Sequence, residues 1–345
     1  RILGIICRGE NMRNYNELPE MQLVEDRLRE INSYSNNLPE VSGYILGQGG
    51  KRIRPQLVLL CSDIYGAALE TRVDVAVAAE LIHSASLLHD DVVDNSSLRR
   101  GQPSANKRWG NSSAVLAGDL LFARAYAVLS SYPKILAIMT NAVSNMCLGE
   151  LNQLYSHFNP DTTPEDYVNT IISKTASLLA SSCECGAAIS SMPQAEIEVI
   201  RKFALHIGIA YQILDDISDY VLDADLTGKP QGSDIRNGIV TLPLMYLLAN
   251  PSTRQRVKSL IQQKQALEPK MLAPELAQTG AIEKAAAAAC YHLDRGICHL
   301  GYLPSRPSVL QLEELALGFK ERCSVLLNYC PVAQDFGHPR QYSRP

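Results

Sequence analysis

No run of eighteen or more apolar residues occurs in this chain, so no segment reads as a helix that spans a bilayer. The apolar run Ile2 to Cys7 is too short for a signal-peptide core, and no small-residue cleavage pattern follows it. Met12 is read as the native start, with residues 1–11 an extension expected to be disordered. Paired metal-ligand spacing is missing among the nine cysteines, whose odd count and scatter fit the cytoplasm or another reducing, organelle-type compartment. Cys183 and Cys185 face different ways on a helix and read as buried small hydrophobes rather than a zinc site. A net charge of -4 is too mild to indicate a nucleic-acid partner. Also missing are Gly/Ser-rich linkers, repeats of solenoid period, the GxxxxGK[ST] phosphate loop and alternating strand-like segments.

What is present is globular material, 46% hydrophobic and 20% charged over 345 residues, enough for a sizeable core. Apolar residues recur at spacings of three and four, as at Val75, Ala78, Ala79, Ile82 and Ala85, the period of a helix with one buried face. The fold class is therefore all-α. Helices are expected at 17–33, 38–47, 53–65, 71–95, 112–131, 134–157, 165–190, 194–224, 240–249, 253–265, 281–300 and 309–329. Short connectors such as Asn159-Pro160 and Asn250-Pro251 make neighbours antiparallel in a single-domain bundle over residues 12–330. The tail 331–345 lacks periodicity and is expected to be disordered.

Asp90, Asp91 and Asp94 close a long, otherwise apolar helix. Residues i and i+4 share a helix face, so Asp90 and Asp94 project together with Asp91 beside them. Three carboxylates within about one turn repel one another unless a cation neutralises them, and hard oxygen donors suit Mg2+. Taken alone, a solvated acidic helix end explains the cluster equally well. Asp215, Asp216 and Asp219 repeat the spacing in a second apolar helix, and two such coincidences are hard to dismiss. Facing one another across a cavity, the clusters can hold several ions around one diphosphate.

Cations suited to phosphate accompany them. Gly49-Gly50 gives a flexible turn before Lys51, Arg52 and Arg54, and Lys51 and Arg54 fall on one face. Arg99-Arg100-Gly101 follows the first cluster closely, and His83 precedes Asp90 by seven residues on nearly the same face. Lys174-Thr175 interrupts an apolar helix, and Lys229 sits in the loop Gly228-Lys229-Pro230. Separately each is explained as well or better by a surface cation, a salt-bridged loop or a core histidine.

In combination they resemble the trans-isoprenyl diphosphate synthases, or polyprenyl synthetases, of medium or long chain. The resemblance rests on Gly49-Gly50-Lys51-Arg52-Ile53-Arg54-Pro55, Glu80-Leu81-Ile82-His83, the DDxxD motif at Asp90 with Arg99-Arg100-Gly101, Gly118-Asp119, Gly149-Glu150-Leu151-Asn152-Gln153, Lys174-Thr175 and the second DDxxD motif at Asp215. It spans residues 20 to 330. It implies a homodimer, with a heteromer as the alternative, and an all-helical fold of isoprenoid synthase type around a deep central cavity. It also implies sequential head-to-tail condensation of isopentenyl diphosphate with an allylic diphosphate. Carried onto this chain, Asp90, Asp91, Asp94 and Asp215 coordinate Mg2+, up to three ions per site, with Asp216 and Asp219 supporting them. Arg99, Lys174, Gln212 and Lys229 contact the allylic diphosphate, with Thr175 beside Lys174; Lys51, Arg54, His83 and Arg100 hold isopentenyl diphosphate.

Two residues depart from the family pattern. Ile239 stands where some short-chain members place a second lysine, and Ser218 is polar where an aliphatic residue is usual. Ala85 and Ser86 occupy the positions that set the cavity floor in this family, and their small size implies a product longer than fifteen carbons. A long apolar product also suggests peripheral contact with lipid. A terpene cyclase and a regulatory subunit of a heteromeric synthase are the competing readings. The complete second DDxxD opposes the first, and retention of all six aspartates opposes the second.

Overall fold

The computed structural model describes residues 18–33, 39–222, 226, 231–263 and 268–329. The expected extension 1–11 and tail 331–345 lie outside these residues. The order is α1 (Pro19–Ser33), α2 (Pro39–Gly47), α3 (Ile53–Asp63), α4 (Leu69–Val93), a hairpin of β1 (Leu98–Arg99) and β2 (Gln102–Pro103), α5 (Ala105–Trp109), α6 (Asn111–Leu129) and α7 (Pro133–Tyr155). After these come α8 (Pro164–Ile171), a π-helical turn at Ile172–Ala176, α9 (Ser177–Ala188), α10 (Gln194–Val221), α11 (Ser233–Arg236), α12 (Leu242–Ala249), α13 (Pro251–Gln262), α14 (Pro269–Thr279), α15 (Ala281–Leu300) and α16 (Pro307–Asn328).

Helix starts follow local chemistry. Proline opens α7, α8, α13, α14 and α16, where its missing N–H costs no intrahelical bond. Thr163 and Asp166 form a reciprocal capping box on α8. Helix α14 lies in the gap between the expected helices 253–265 and 281–300. Pro274 removes only the bond to the Lys270 carbonyl in the first turn, so the helix survives it. The expected single helix 165–190 is interrupted by the π turn. The Arg99-Arg100-Gly101 segment is a hairpin turn, in which Arg100 (φ 53°) and Gly101 (φ 74°) take the left-handed conformations that a two-residue connection requires.

One bundle holds two clusters of buried side chains. The first centres on α10, α12, α15 and α16, with Phe203 and Phe319 among its largest members. The second centres on α1, α4, α6 and α7, with Leu81, Leu121 and Met139. Helices α3 and α9 feed both, Leu57 and Cys183 entering the first and Leu59 and Leu178 the second. Among the described residues α6 alone is long and apolar enough to cross a membrane, by length and composition. It packs along α4 and leaves Val115 and Leu116 exposed.

Candidate active site

A cavity of about 840 Å³ is lined from α4, α6, α7, the π turn, α10 and α16, and by the loop before α3. Both aspartate clusters reach it. Asp90 and Asp94 from α4 and Asp215, Asp216 and Asp219 from α10 all line the cavity. Burial pushes the Asp90 carboxyl up to about 6 and that of Asp216 up to about 7, since a carboxylate that loses water without gaining enough positive charge holds its proton. Asp216 is held by the Tyr167 hydroxyl at 2.6 Å and by Gln212 Nε2 at 2.8 Å, and Gln212 accepts from Thr175 Oγ1 at 2.7 Å. The Asp219 carboxylate accepts from the backbone N–H groups of Ser233 and Asp234, at 3.0 and 3.1 Å, and so fixes the start of α11.

Asp91 departs from the expected ligand set. One position on from Asp90, it is turned about 100° around the helix, fully buried and away from the cavity. Its Oδ1 accepts from Arg99 Nε at 3.0 Å, and its Oδ2 is buried without a partner. Asp91 therefore orients Arg99, which does line the cavity.

The same cavity is lined by the cations Lys51, Arg54, Arg99 and Arg100, with His83 beside them. Burial lowers the Arg54 guanidinium, whose Nε has no partner. Burial, reinforced by the neighbouring arginine charges, holds His83 well below its ordinary range, so it stands neutral. Clustered cations and a buried donor without an acceptor form a place shaped for an anion. Lys174 Nζ reaches Glu150 Oε2 at 2.6 Å; burial acts to lower its pKa, but Glu150, Asp90 and Asp94 outweigh that and raise it. The π turn lets consecutive residues Lys174 and Thr175 both line the cavity, as such insertions commonly do at functional sites. Lys229 lies outside the described residues.

Of the two expected floor residues, Ser86 lines the cavity and Ala85 does not. Ala85 points into the second buried cluster, again because adjacent helix positions diverge. The apolar part of the lining comprises Leu87, Phe122, Val143, Met146 and Leu178. Residue patterns also gave no role to Arg322 of α16, which lines the cavity and donates to Asp215 Oδ1 at 2.7 Å and to Ser218 Oγ at 3.1 Å. The one sequence signal for it was the unusual polarity of Ser218.

Among the described residues no three carboxylates, imidazoles or thiols converge on one point. The donor set nonetheless fits Mg2+. That ion takes one or two carboxylates and completes its shell with water and phosphate oxygens rather than a protein cage, and the raised Asp90 carboxyl marks a charge still to be neutralised.

A helical bundle with carboxylates, cations and apolar side chains around one cavity fits an enzyme that handles a diphosphate on an apolar chain. The polyprenyl synthetase family pattern matches residues 35–274. The chain is 34% identical over 306 residues to heptaprenyl diphosphate synthase component 2 of Geobacillus stearothermophilus, covering 88% of this chain and 96% of that one. It is 34% identical over 307 residues to the octaprenyl diphosphate synthase of Escherichia coli, covering 86% and 94%. The crystal structure of a polyprenyl synthase from Caulobacter crescentus, complexed with calcium and isoprenyl diphosphate, superposes with a TM-score of 0.85 at 30% identity, over 90% of this chain and 98% of that one. This chain belongs to the polyprenyl synthetase family, the trans-isoprenyl diphosphate synthases, and is a prenyltransferase of head-to-tail condensation.

Proposed function

We propose that this enzyme extends an allylic diphosphate with successive isopentenyl diphosphate units to an all-trans product of C20 or longer. The observation that carries the proposal is the polarity of the cavity. The carboxylates of α4 and α10, the cations Lys51, Arg54, Arg99 and Arg100, and the apolar Leu87, Phe122, Val143, Met146 and Leu178 line one cavity.

In this reading Lys51, Arg54, His83 and Arg100 hold the diphosphate of isopentenyl diphosphate. Arg99, Lys174, Gln212 and Lys229 hold that of the allylic substrate. Asp90, Asp94 and Asp215 would hold Mg2+, Asp216 and Asp219 support the second side, and Asp91 acts through Arg99. When bound, Mg2+ neutralises the departing pyrophosphate. The residues themselves align the two substrates, while Leu87, Phe122 and Val143 keep water from the allylic cation. The double bond of isopentenyl diphosphate attacks that cation, and the released pyrophosphate takes the proton. No side-chain nucleophile is required.

An exposed apolar face on α6 and α7, including Leu116, Leu148, Leu151 and Tyr155, supports assembly with a second copy of the chain. The name of the Geobacillus relative, a component 2, favours a heteromeric complex as the second reading. The cysteines of the described residues are free thiols, which supports a cytoplasmic or similarly reducing setting.

The experiment is incubation of purified protein with Mg2+, labelled isopentenyl diphosphate and, separately, geranyl, farnesyl or geranylgeranyl diphosphate, followed by sizing of the dephosphorylated products. A ladder reaching C20 or beyond, lost on chelation and in Asp90→Ala, is the expected result. A folded protein that elongates no primer refutes a self-sufficient synthase, and a cyclic hydrocarbon from the allylic substrate alone selects a cyclase.

A further inference from the structure

Two residues of the diagnostic motifs, Arg52 and Glu80, have no part in the scheme above, although they lie among the residues that do. Arg52 stands between Lys51 and Ile53, and its side chain turns away from the cavity into the protein. Its Nη1 donates to Glu80 Oε1 of α4 at 2.7 Å and its Nε to Glu25 Oε1 of α1 at 2.7 Å. Its Nη2 donates to the Leu46 carbonyl at 2.8 Å and to Glu25 Oε2 at 3.3 Å. Side-chain exposure is 5% for Arg52 and 4% for Glu80. Four hydrogen bonds to two carboxylates and a carbonyl hold this cation away from the cavity, so it is not a phosphate ligand despite its place in the sequence.

The backbone it holds is unusual. Gly49 (φ 69°), Gly50 (φ 144°) and Arg52 (φ 47°) all have positive φ, a region that a residue with a Cβ rarely adopts. The other side of the loop is held too. Arg100 donates to the Gly49 carbonyl, Gln56 Nε2 donates to the Lys51 carbonyl at 2.7 Å, and a Cβ on Gly50 would meet the Arg100 guanidinium at 2.8 Å. Lys51 therefore reaches the cavity from a short turn, and Arg54 from the first turn of α3 that follows it, both set by the guanidinium of Arg52 at the N-cap.

We infer that Arg52, clamped by Glu25 and Glu80, is a positioning residue for the isopentenyl diphosphate anchors Lys51 and Arg54, and that α1 thereby helps to set affinity for that substrate. The inference rests on the synthase reading above. A fork of fixed geometry meets three acceptors on three elements, which a lysine ammonium cannot reproduce. The allylic side is built instead from α4, Arg99 of β1, Lys174 of the π turn and Gln212 of α10.

The test is steady-state condensation by wild type, Arg52→Lys and Glu25→Gln, varying the two substrates separately. Arg52→Lys is expected to raise KM for isopentenyl diphosphate about tenfold, with KM for the allylic diphosphate within about twofold of wild type. Glu25→Gln, which removes only the part-exposed partner, is expected to raise the former about threefold and spare the latter. Equal rises in both KM values, or no rise for isopentenyl diphosphate in a folded variant, overturn the inference. Should Arg52→Lys fail to fold, the same split in Glu25→Gln decides. A wild type that condenses nothing removes the synthase reading and this inference with it, whereas an active wild type whose variants show no split removes the inference alone.

Discussion

Arg322 Nη2 lies 2.7 Å from Asp215 Oδ1 and 3.1 Å from the Ser218 hydroxyl oxygen, so the last helix places a cation on the carboxylate proposed to hold Mg2+. Guanidinium and metal compete for one oxygen. Arg322→Met is expected to lower the Mg2+ concentration for half-maximal condensation by about three- to fivefold, the worth of a partly exposed ion pair. Ser218→Ala should shift it less, in the same direction. Titration of Mg2+ into chelator-treated enzyme measures both, and an unchanged requirement would show that the ion pair does not compete.

Neighbouring aspartates should behave in opposite ways. Asp91→Ala leaves part-buried Arg99 without its carboxylate and is expected to cost about 1–3 kcal/mol of stability. Asp90→Ala removes a carboxyl that burial pushes up to about 6; metal-free protein should be at least as stable as wild type and inactive in condensation. Denaturant unfolding with a parallel activity assay separates the two.

Chain length should answer to Ser86 and not to Ala85. Ser86→Phe places a ring in the cavity and is expected to shorten the product, read by chromatography of the dephosphorylated chains. Ala85→Phe overpacks the second buried cluster and should cost about 1–3 kcal/mol without a specific shortening.

Gly149 bears on the Lys174 turn. A Cβ there would meet the Lys174 backbone nitrogen at 2.5 Å, and backbone cannot swing aside as a side chain can. Gly149→Ala is expected to displace the π turn and lower kcat/KM about a hundredfold, the scale of an ångström-sized misplacement, with helical circular dichroism retained.

His206 on α10 meets His292 on α15, with their Nδ1 atoms 2.9 Å apart, and stacks on His299. Burial first, then the charges of His292, His299 and Arg295, pushes His206 down to about 4. Lys202 also bears on His299. Between pH 6.5 and about 4 the unfolded chain binds the proton and the folded chain does not, so stability is full above pH 6.5 and falls with pH through this window. His206→Gln should flatten that fall in Tm, measured by calorimetry across the range.

The chemistry was legible before any coordinates. Asp90 with Asp94 and the apolar period of α4 and α10 follow from one repeat, 3.6 residues per turn, acting on residue types whose charge requires partners, whereas Lys51 and Arg54, expected on one helix face, reach the cavity from the loop and from α3. Most helix ends were legible for the same local reason, since capping and proline chemistry act within a turn. The helix α14, the π turn and the hairpin at Arg100 were not, because packing or backbone geometry there overrides local preference.

Contacts between distant segments were decided only in three dimensions. Asp90 and Asp91 are adjacent and chemically identical, yet one faces the cavity and the other faces Arg99, eight residues on. Arg52 and Arg54 are alike in sequence, yet one anchors the loop to Glu25 and Glu80 while the other faces the cavity. Arg322 joins the site from 107 residues beyond Asp215. Residue type and period determine which chemistry a chain can hold, but the direction a charged side chain takes depends on which opposite charge the packed helices bring within reach.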